Sequence, residues 1–189
     1  MSDPAKKLAT YEDLYSIPDN MIGEIINGEL VVSPRPSPKH MRSISILEGE
    51  IIPPYDRGRG GGPGGWVILS ETEVRLGAHT IVPDIAGWRR ERFPIHEDTN
   101  WISVAPDWVC EVISPSTALR DRTDKKAIYA EHRVGHLWLV DPVNMTVEVY
   151  RLGPDDWVPV GVWGGSAKAR LEPFREIEIE LGDLWLENL

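Results

Sequence analysis

Two carboxylates lie inside the most strand-like apolar runs of the chain: Asp84 in IVPDIAGW (81–88) and Glu111 in DWVCEVI (107–113). Runs so rich in Val, Ile and Trp read as buried strands. At the strand period of two, Val82, Asp84 and Ala86 share one face of Ile81–Ala86, and Ile81, Pro83 and Ile85 the other. In Trp108–Ile113, Val109, Glu111 and Ile113 lie opposite Trp108, Cys110 and Val112. Each acid thus has apolar neighbours on both faces, as at the centre of a covered sheet. An unpaired carboxylate there is costly, and two close together push one another toward protonation. A hard cation such as Mg2+, which prefers oxygen ligands, resolves both problems. A buried Arg or Lys, or a strand end open to water, resolves them too, and strand pattern alone leaves both readings open.

The polar segment TALRDRTDKKAIYAEHRV (117–134) reads as a helix of about three turns. At 3.6 residues per turn, Asp121, Lys125, Ile128, Tyr129 and His132 fall on one side. Ile128 and Tyr129 are the residues to face a sheet, so Lys125 is carried toward it. The alternative is a surface pair of Asp121 and Lys125 at i,i+4, worth a few tenths of a kcal/mol. Lys126 lies about 100° away, with Arg122 and Arg133, and is expected to face solvent.

The rest of the chain supplies strands and short helices. ATYEDLYSIPDN (9–20) reads as an amphipathic helix ending near Pro18. GEIINGELVVS (23–33) reads as a hairpin turning at Asn27-Gly28. HMRSISILEGEIIP (40–53) spaces Ile44, Leu47 and Ile51 as a helix does. WVILSETEVRL (66–76), HLWLVD (136–141), TVEVYRL (146–152), WVPVGVW (157–163) and EIEIEL (176–181) read as further strands, HLWLVD and TVEVYRL forming a hairpin. The 189 residues fit one α/β domain with a mixed sheet, flanking helices and a β-rich tail.

Several function classes are excluded. A single cysteine, Cys110, permits neither an internal disulfide nor a metal site built from four cysteines. The five histidines are scattered, with no HExxH, and no G-x-S-x-G elbow surrounds Ser114. The Gly-rich stretch YDRGRGGGPGG (55–65) follows a helix and precedes a strand, the wrong order for a phosphate cradle. No apolar run resembles a signal peptide or a bilayer span, so a cytoplasmic location away from membranes is expected. The net charge of -10 leaves nucleic-acid binding only to a local basic patch, helped by a metal masking its acidic ligands. Eight tryptophans read as core or subunit interface, and apolar ends such as LGDLWLENL point to a homodimer.

IVPDIAGWRRERFP (81–94), APDWVCEVISPST (105–117) and DRTDKKAIYAEHRVGHLWLVDP (121–142) together resemble the Uma2 family (DUF820). That family is assigned to the PD-(D/E)xK restriction-endonuclease-like superfamily. GEIINGELVVSPRPSPKH (23–40) and EIEIELGDLWLE (176–187) are similar to its two ends, so the resemblance covers nearly all of residues 1–189. It implies an α/β restriction endonuclease-like core, a mixed β-sheet flanked by helices, with extra N- and C-terminal strands. Asp84 matches the motif aspartate and Glu111 the acid of the second motif strand. The sequence departs at Ile113, where the superfamily places its lysine. In Uma2-like sequences a lysine four residues before a helix tyrosine replaces it, here Lys125 ahead of Tyr129, the residue the helix face also singles out. Glu24 resembles an N-terminal glutamate that completes the metal site, or is a hairpin residue held by a backbone amide. His40 matches a recurrent family position, with a helix cap or packing role as the alternative.

The resemblance implies a metal-dependent endonuclease cleaving nucleic acid, DNA in the first instance. Asp84 and Glu111, with Glu24, would hold Mg2+ or Mn2+, and Lys125 would position the attacking water or stabilise charge on phosphorus. Arg89, Arg90, Arg92, Arg120, Arg122 and Lys126 are the candidates for phosphate contacts, and the loop of Arg57 and Arg59 for closing over a substrate. The alternative is a nuclease fold kept as a binding or assembly module with little turnover, favoured by the acidic balance and the displaced lysine.

Overall fold

The computed structural model describes residues 8–95 and 98–188. The N-terminal helix is a single turn, α1 (Tyr11–Leu14), closed by a capping box of Thr10 and Asp13. The longer helix expected over 9–20 is not formed: none of these four residues is buried, and so short a helix is sustained only by packing. Asn27 and Gly28 both take left-handed backbone, φ +53° and +75°, as a two-residue hairpin turn demands. They join β1 (Met21–Ile26) to β2 (Glu29–Pro34) with Ile26 opposite Glu29. Helix α2 (Pro38–Ile51) has Ser37 as its cap and Pro38 in its first turn, and buries His40, Ser43, Ile44, Leu47 and Ile51. A π-helical turn (Ile52–Asp56) continues it.

Each of the next two apolar runs divides into two strands. WVILSETEVRL becomes β3 (Trp66–Ser70) and β4 (Glu73–Leu76), and TIVPDIAGW becomes β5 (His79–Ile81) and β6 (Ile85–Arg89). In both, the chain passes from one sheet to another. No strand spans Ile81–Ala86, so the face-sharing expected of Asp84 is corrected: Asp84 lies in the crossing between β5 and β6. Pro83 beside it lacks the N–H that a central strand would need. Then come β7 (Trp101–Ile102) and β8 (Trp108–Val112). A helical segment follows, from α3 (Ala118–Arg120) through a π-helical turn (Asp121–Lys125) into α4 (Lys126–Glu131). Strands β9 (His136–Asp141), β10 (Thr146–Leu152), β11 (Trp157–Gly164), β12 (Lys168–Ala169) and β13 (Ile179–Glu180) complete the chain with two 3-10 turns.

The architecture is mixed α/β, its strands shared between two mixed sheets and a small pair. The six-stranded sheet runs β11-β10-β9-β8-β6-β3 and the five-stranded one β2-β1-β5-β4-β7. Strands β8 and β9 are parallel, joined by the α3–α4 crossover, and β4 and β7 are parallel. Alternation along β8 divides the core. Trp108, Cys110 and Val112 pack with α2 and the C-terminal segment, whereas Val109 and Ile113 pack with Ile128, Tyr129 and residues of the five-stranded sheet. Phe174 anchors the first cluster, its ring 4.6 Å from Tyr55, 5.0 Å from Trp66 and 4.8 Å from Trp108. EIEIEL contributes only the two residues of β13 to a strand. Leu181, Leu184 and Trp185 are buried in this same cluster, so much of the apolar C terminus that suggested an interface is covered by the chain itself. No helix among the described residues is long and apolar enough to cross a membrane.

Candidate active site

Glu111 is 2 % exposed on the face of β8 that looks toward α4. The period of two placed it there, and the helix supplies what such a carboxylate needs. Lys125 Nζ donates to both Glu111 oxygens, at 3.2 and 3.1 Å, and the Tyr129 hydroxyl donates to Oε1 at 2.5 Å. Lys125 and Tyr129 are one turn apart, so both reach the same acid. Asp121, a turn earlier, lies 3.8 Å from the ammonium. The reading that carried Lys125 toward the sheet therefore holds, and the i,i+4 pair with Asp121 is also present, buried instead of at the surface. Ile113, at the superfamily's usual lysine position, is buried among apolar side chains.

Glu24 enters from β1. Its Oε1 accepts from the Val82 backbone N–H at 2.9 Å and lies 2.9 Å from Lys125 Nζ. A backbone amide therefore holds Glu24, and that hold places it beside the Lys125 ammonium. Asp84 Oδ2 accepts from the Val112 N–H at 2.6 Å, and Oδ1 lies 2.7 Å from His40 Nε2. Glu24 belongs to one sheet, Glu111 to the other, and Asp84 to the crossing between them. His40 does more than cap or pack, because its ring reaches an acid at the site.

The pocket these side chains share has a volume of ≈ 230 Å³ and is lined by Glu24, His40, Asp84, Glu111, Asp121 and Lys125 among others. Burial pushes the Glu111 carboxyl well above the usual carboxylate range; Lys125 opposes this, and Asp121, Asp84 and Glu24 add to it. Burial also raises Asp121, against the pull of Lys125 and a Thr117 hydrogen bond. For Lys125, burial alone would lower the ammonium, but Glu111, Glu24, Asp121 and Asp84 outweigh it and hold it well above its usual value. Among the described residues, no three His, Cys, Asp or Glu side chains are arranged to hold a metal ion. The one cation of this cluster is the Lys125 ammonium, placed between Glu24, Glu111 and Asp121.

The basic candidates divide. Arg89 lies over the Trp66 ring at 4.1 Å. Arg90 donates to the carbonyls of Asp56 and Trp66, and Arg92 pairs with Asp107. All three are at or beyond the end of β6 opposite Asp84. Arg122 pairs with Glu148 at 2.6 Å. Lys126, expected in solvent, is half-buried with Nζ 3.5 Å from the Tyr150 ring centroid. Arg57 and Arg59 are exposed in the Gly-rich loop. Arg120 is the one nearer the site, bonded at 3.5 Å to Ser33, a residue of the pocket wall. Sequence reasoning overlooked Arg35 on that wall and the hydroxyls of Ser116 and Thr117, which bond Ser114 at 3.0 and 2.9 Å. Prolines flanking Arg35 on either side were the available sign of a fixed rim.

Comparison with known proteins agrees with this architecture. No curated protein matches the chain significantly. A solved structure of a "putative nuclease belonging to DUF820" from Anabaena variabilis superposes with a TM-score of 0.73 at 25% identity, covering 96% of this chain and 99% of that one. The Uma2 family profile, described as "Putative restriction endonuclease", matches residues 8–182. With that match running from the first hairpin through both acidic elements and the lysine helix, the chain belongs to the Uma2 family.

Proposed function

We propose that this protein is a metal-dependent endonuclease that hydrolyses phosphodiester bonds of nucleic acid, with DNA as the expected substrate. One observation carries the reading: Glu24, Asp84, Glu111 and Asp121 line one pocket that holds a single ammonium, Lys125. Four carboxylates crowd one ammonium there, and burial first, with the neighbouring acids adding to it, raises the Glu111 and Asp121 carboxyls. A hard divalent cation suits this oxygen donor set. Asp84 and Glu111, with Glu24, are the acids that would hold Mg2+ or Mn2+, their carboxylates rearranging about it, since among the described residues no three are so arranged without it. When bound, such an ion polarises a phosphoryl oxygen and makes a coordinated water more acidic.

The chain's own groups do the rest. Tyr129 fixes the orientation of Glu111 by its hydrogen bond. Lys125 has three N–H donors and, held by Glu24 and Glu111, keeps a positive charge where charge on phosphorus develops. Arg120 and Arg35 at the rim are the cations best placed to receive neighbouring phosphates. A second reading, a nuclease fold serving in binding or assembly with little turnover, is favoured by Lys125 itself, since its ammonium already occupies the place between three of the acids where a metal would sit.

The test is cleavage of supercoiled plasmid, single-stranded DNA and RNA with Mn2+, Mg2+ or EDTA, wild type against Asp84→Asn. Metal-dependent cleavage that disappears in the variant supports the endonuclease. A folded protein that neither cleaves nor binds Mn2+ by calorimetry is the assembly module.

A further inference from the structure

His40 has two features that the proposed reaction does not use. Its Nε2 lies 2.7 Å from Asp84 Oδ1, and its Nδ1 is buried without a hydrogen-bond partner among the described residues. The ring is held firmly, because His40 sits in the first turn of α2 and is buried there. A proton on Nδ1 would leave a buried N–H donor unpaired, the rarer and costlier defect. With the proton on Nε2, the ring donates to Asp84 and leaves only an unfilled lone pair at Nδ1.

We infer that His40 is a positioning residue that fixes the Asp84 carboxylate by donating to it from Nε2. Asp84 is then gripped at both oxygens, Oδ1 by His40 and Oδ2 by the Val112 N–H at 2.6 Å. The remaining lone pairs are left for the pocket that Asp84 and His40 both line. The same tautomer takes His40 out of the ligand set, because the nitrogen that meets the acid already carries a proton. The consequence for metal binding rests on the proposal that Asp84 holds the ion. The tautomer does not.

Two measurements test this. Nitrogen-15 correlation spectroscopy of the metal-free protein at pH 8, with the signal assigned by its loss in His40→Gln, is expected to show the Nε2–H form. The Nδ1–H form overturns the inference. Calorimetric titration with Mn2+ compares His40→Gln, whose amide N–H reaches toward the place of Nε2, with His40→Leu. Outer hydrogen-bond partners of metal ligands typically contribute 10–100-fold in affinity, so His40→Leu should lose about that much and His40→Gln no more than about 3-fold. Equal losses in both variants would make His40 a ligand, and no loss in His40→Leu would make it a packing residue; either result overturns the inference. If the wild type binds no Mn2+, the metal reading fails on its own. Faster amide exchange at Val112 in metal-free His40→Leu than in wild type then supports the positioning role, and unchanged exchange overturns it. Should His40→Leu not fold, the wild-type tautomer decides.

Discussion

Lys125 Nζ lies 2.9 Å from Glu24 Oε1, a buried ion pair that ties the α3–α4 helical segment to the first hairpin. The same ammonium is 3.1 Å from Glu111 and 3.8 Å from Asp121. Removing one partner of a buried pair typically costs about 3–5 kcal/mol, because the charge left behind is unpaired. Lys125→Met is expected to lose stability on that scale in metal-free protein, read from urea unfolding. Added Mn2+ should recover part of the loss. A variant as stable as wild type would mean the three acids do not depend on the lysine.

The raised Glu111 and Asp121 carboxyls set a direction for pH. Between the usual carboxylate range and their folded values, the folded protein binds more protons than the unfolded chain, so stability falls as pH rises. This contribution is fully present below the ordinary carboxylate range and lost as pH rises through the folded values. Urea midpoints of metal-free protein are expected to decline from pH 5 to pH 7, and less steeply in Glu111→Gln. Mn2+ affinity should climb over the same interval, since ligands must shed their protons to bind. Equal slopes for the variant and the wild type would count against a raised Glu111.

Phe174 meets Tyr55, Trp66, Trp108 and Trp138 on the face of the large sheet away from Glu111. Truncating a buried aromatic costs about 3–5 kcal/mol. Phe174→Ala should therefore lower stability by that amount while leaving Mn2+ affinity of the folded fraction unchanged. Thermal unfolding and calorimetry, run together, check both halves.

Arg90, just beyond the end of β6, and Arg120, in α3 beside the pocket wall, should behave differently. Arg90→Ala is expected to leave nucleic-acid affinity within about 2-fold, because its guanidinium binds the carbonyls of Asp56 and Trp66. Arg120→Ala should weaken binding regardless of sequence and reduce the salt slope by about one. Fluorescence anisotropy across a salt series distinguishes them, and a larger effect from Arg90 would relocate the nucleic-acid surface.

Much of this arrangement was readable from the sequence. The period of two put Glu111 on the right face, the helical period brought Lys125 and Tyr129 to it, and Asn27-Gly28 fixed the hairpin that carries Glu24. What escaped was long-range. Nothing local tells that WVILSETEVRL and TIVPDIAGW change sheets midway, although Pro83 was a warning against one continuous strand through Asp84. The bond from His40 to Asp84 joins segments 44 residues apart, beyond any periodic pattern. Arg89 and Arg90 stand apart from the pocket for a simpler reason. At about 3.4 Å per residue, Arg89 stands about 17 Å along the strand from Asp84.

The crossing at Val82–Asp84 has a mechanical meaning. Glu24 comes from one sheet, Glu111 from the other, and Asp84 from the strap that joins them, so the acidic pocket is also the clasp between the two halves of the molecule. Whatever positive charge sits there, an ammonium or a metal ion, works as the pin of that clasp. Two silent variants would then differ in body: one lacking Lys125 would be a loosened molecule, whereas Asp84→Asn would be silent yet still fastened.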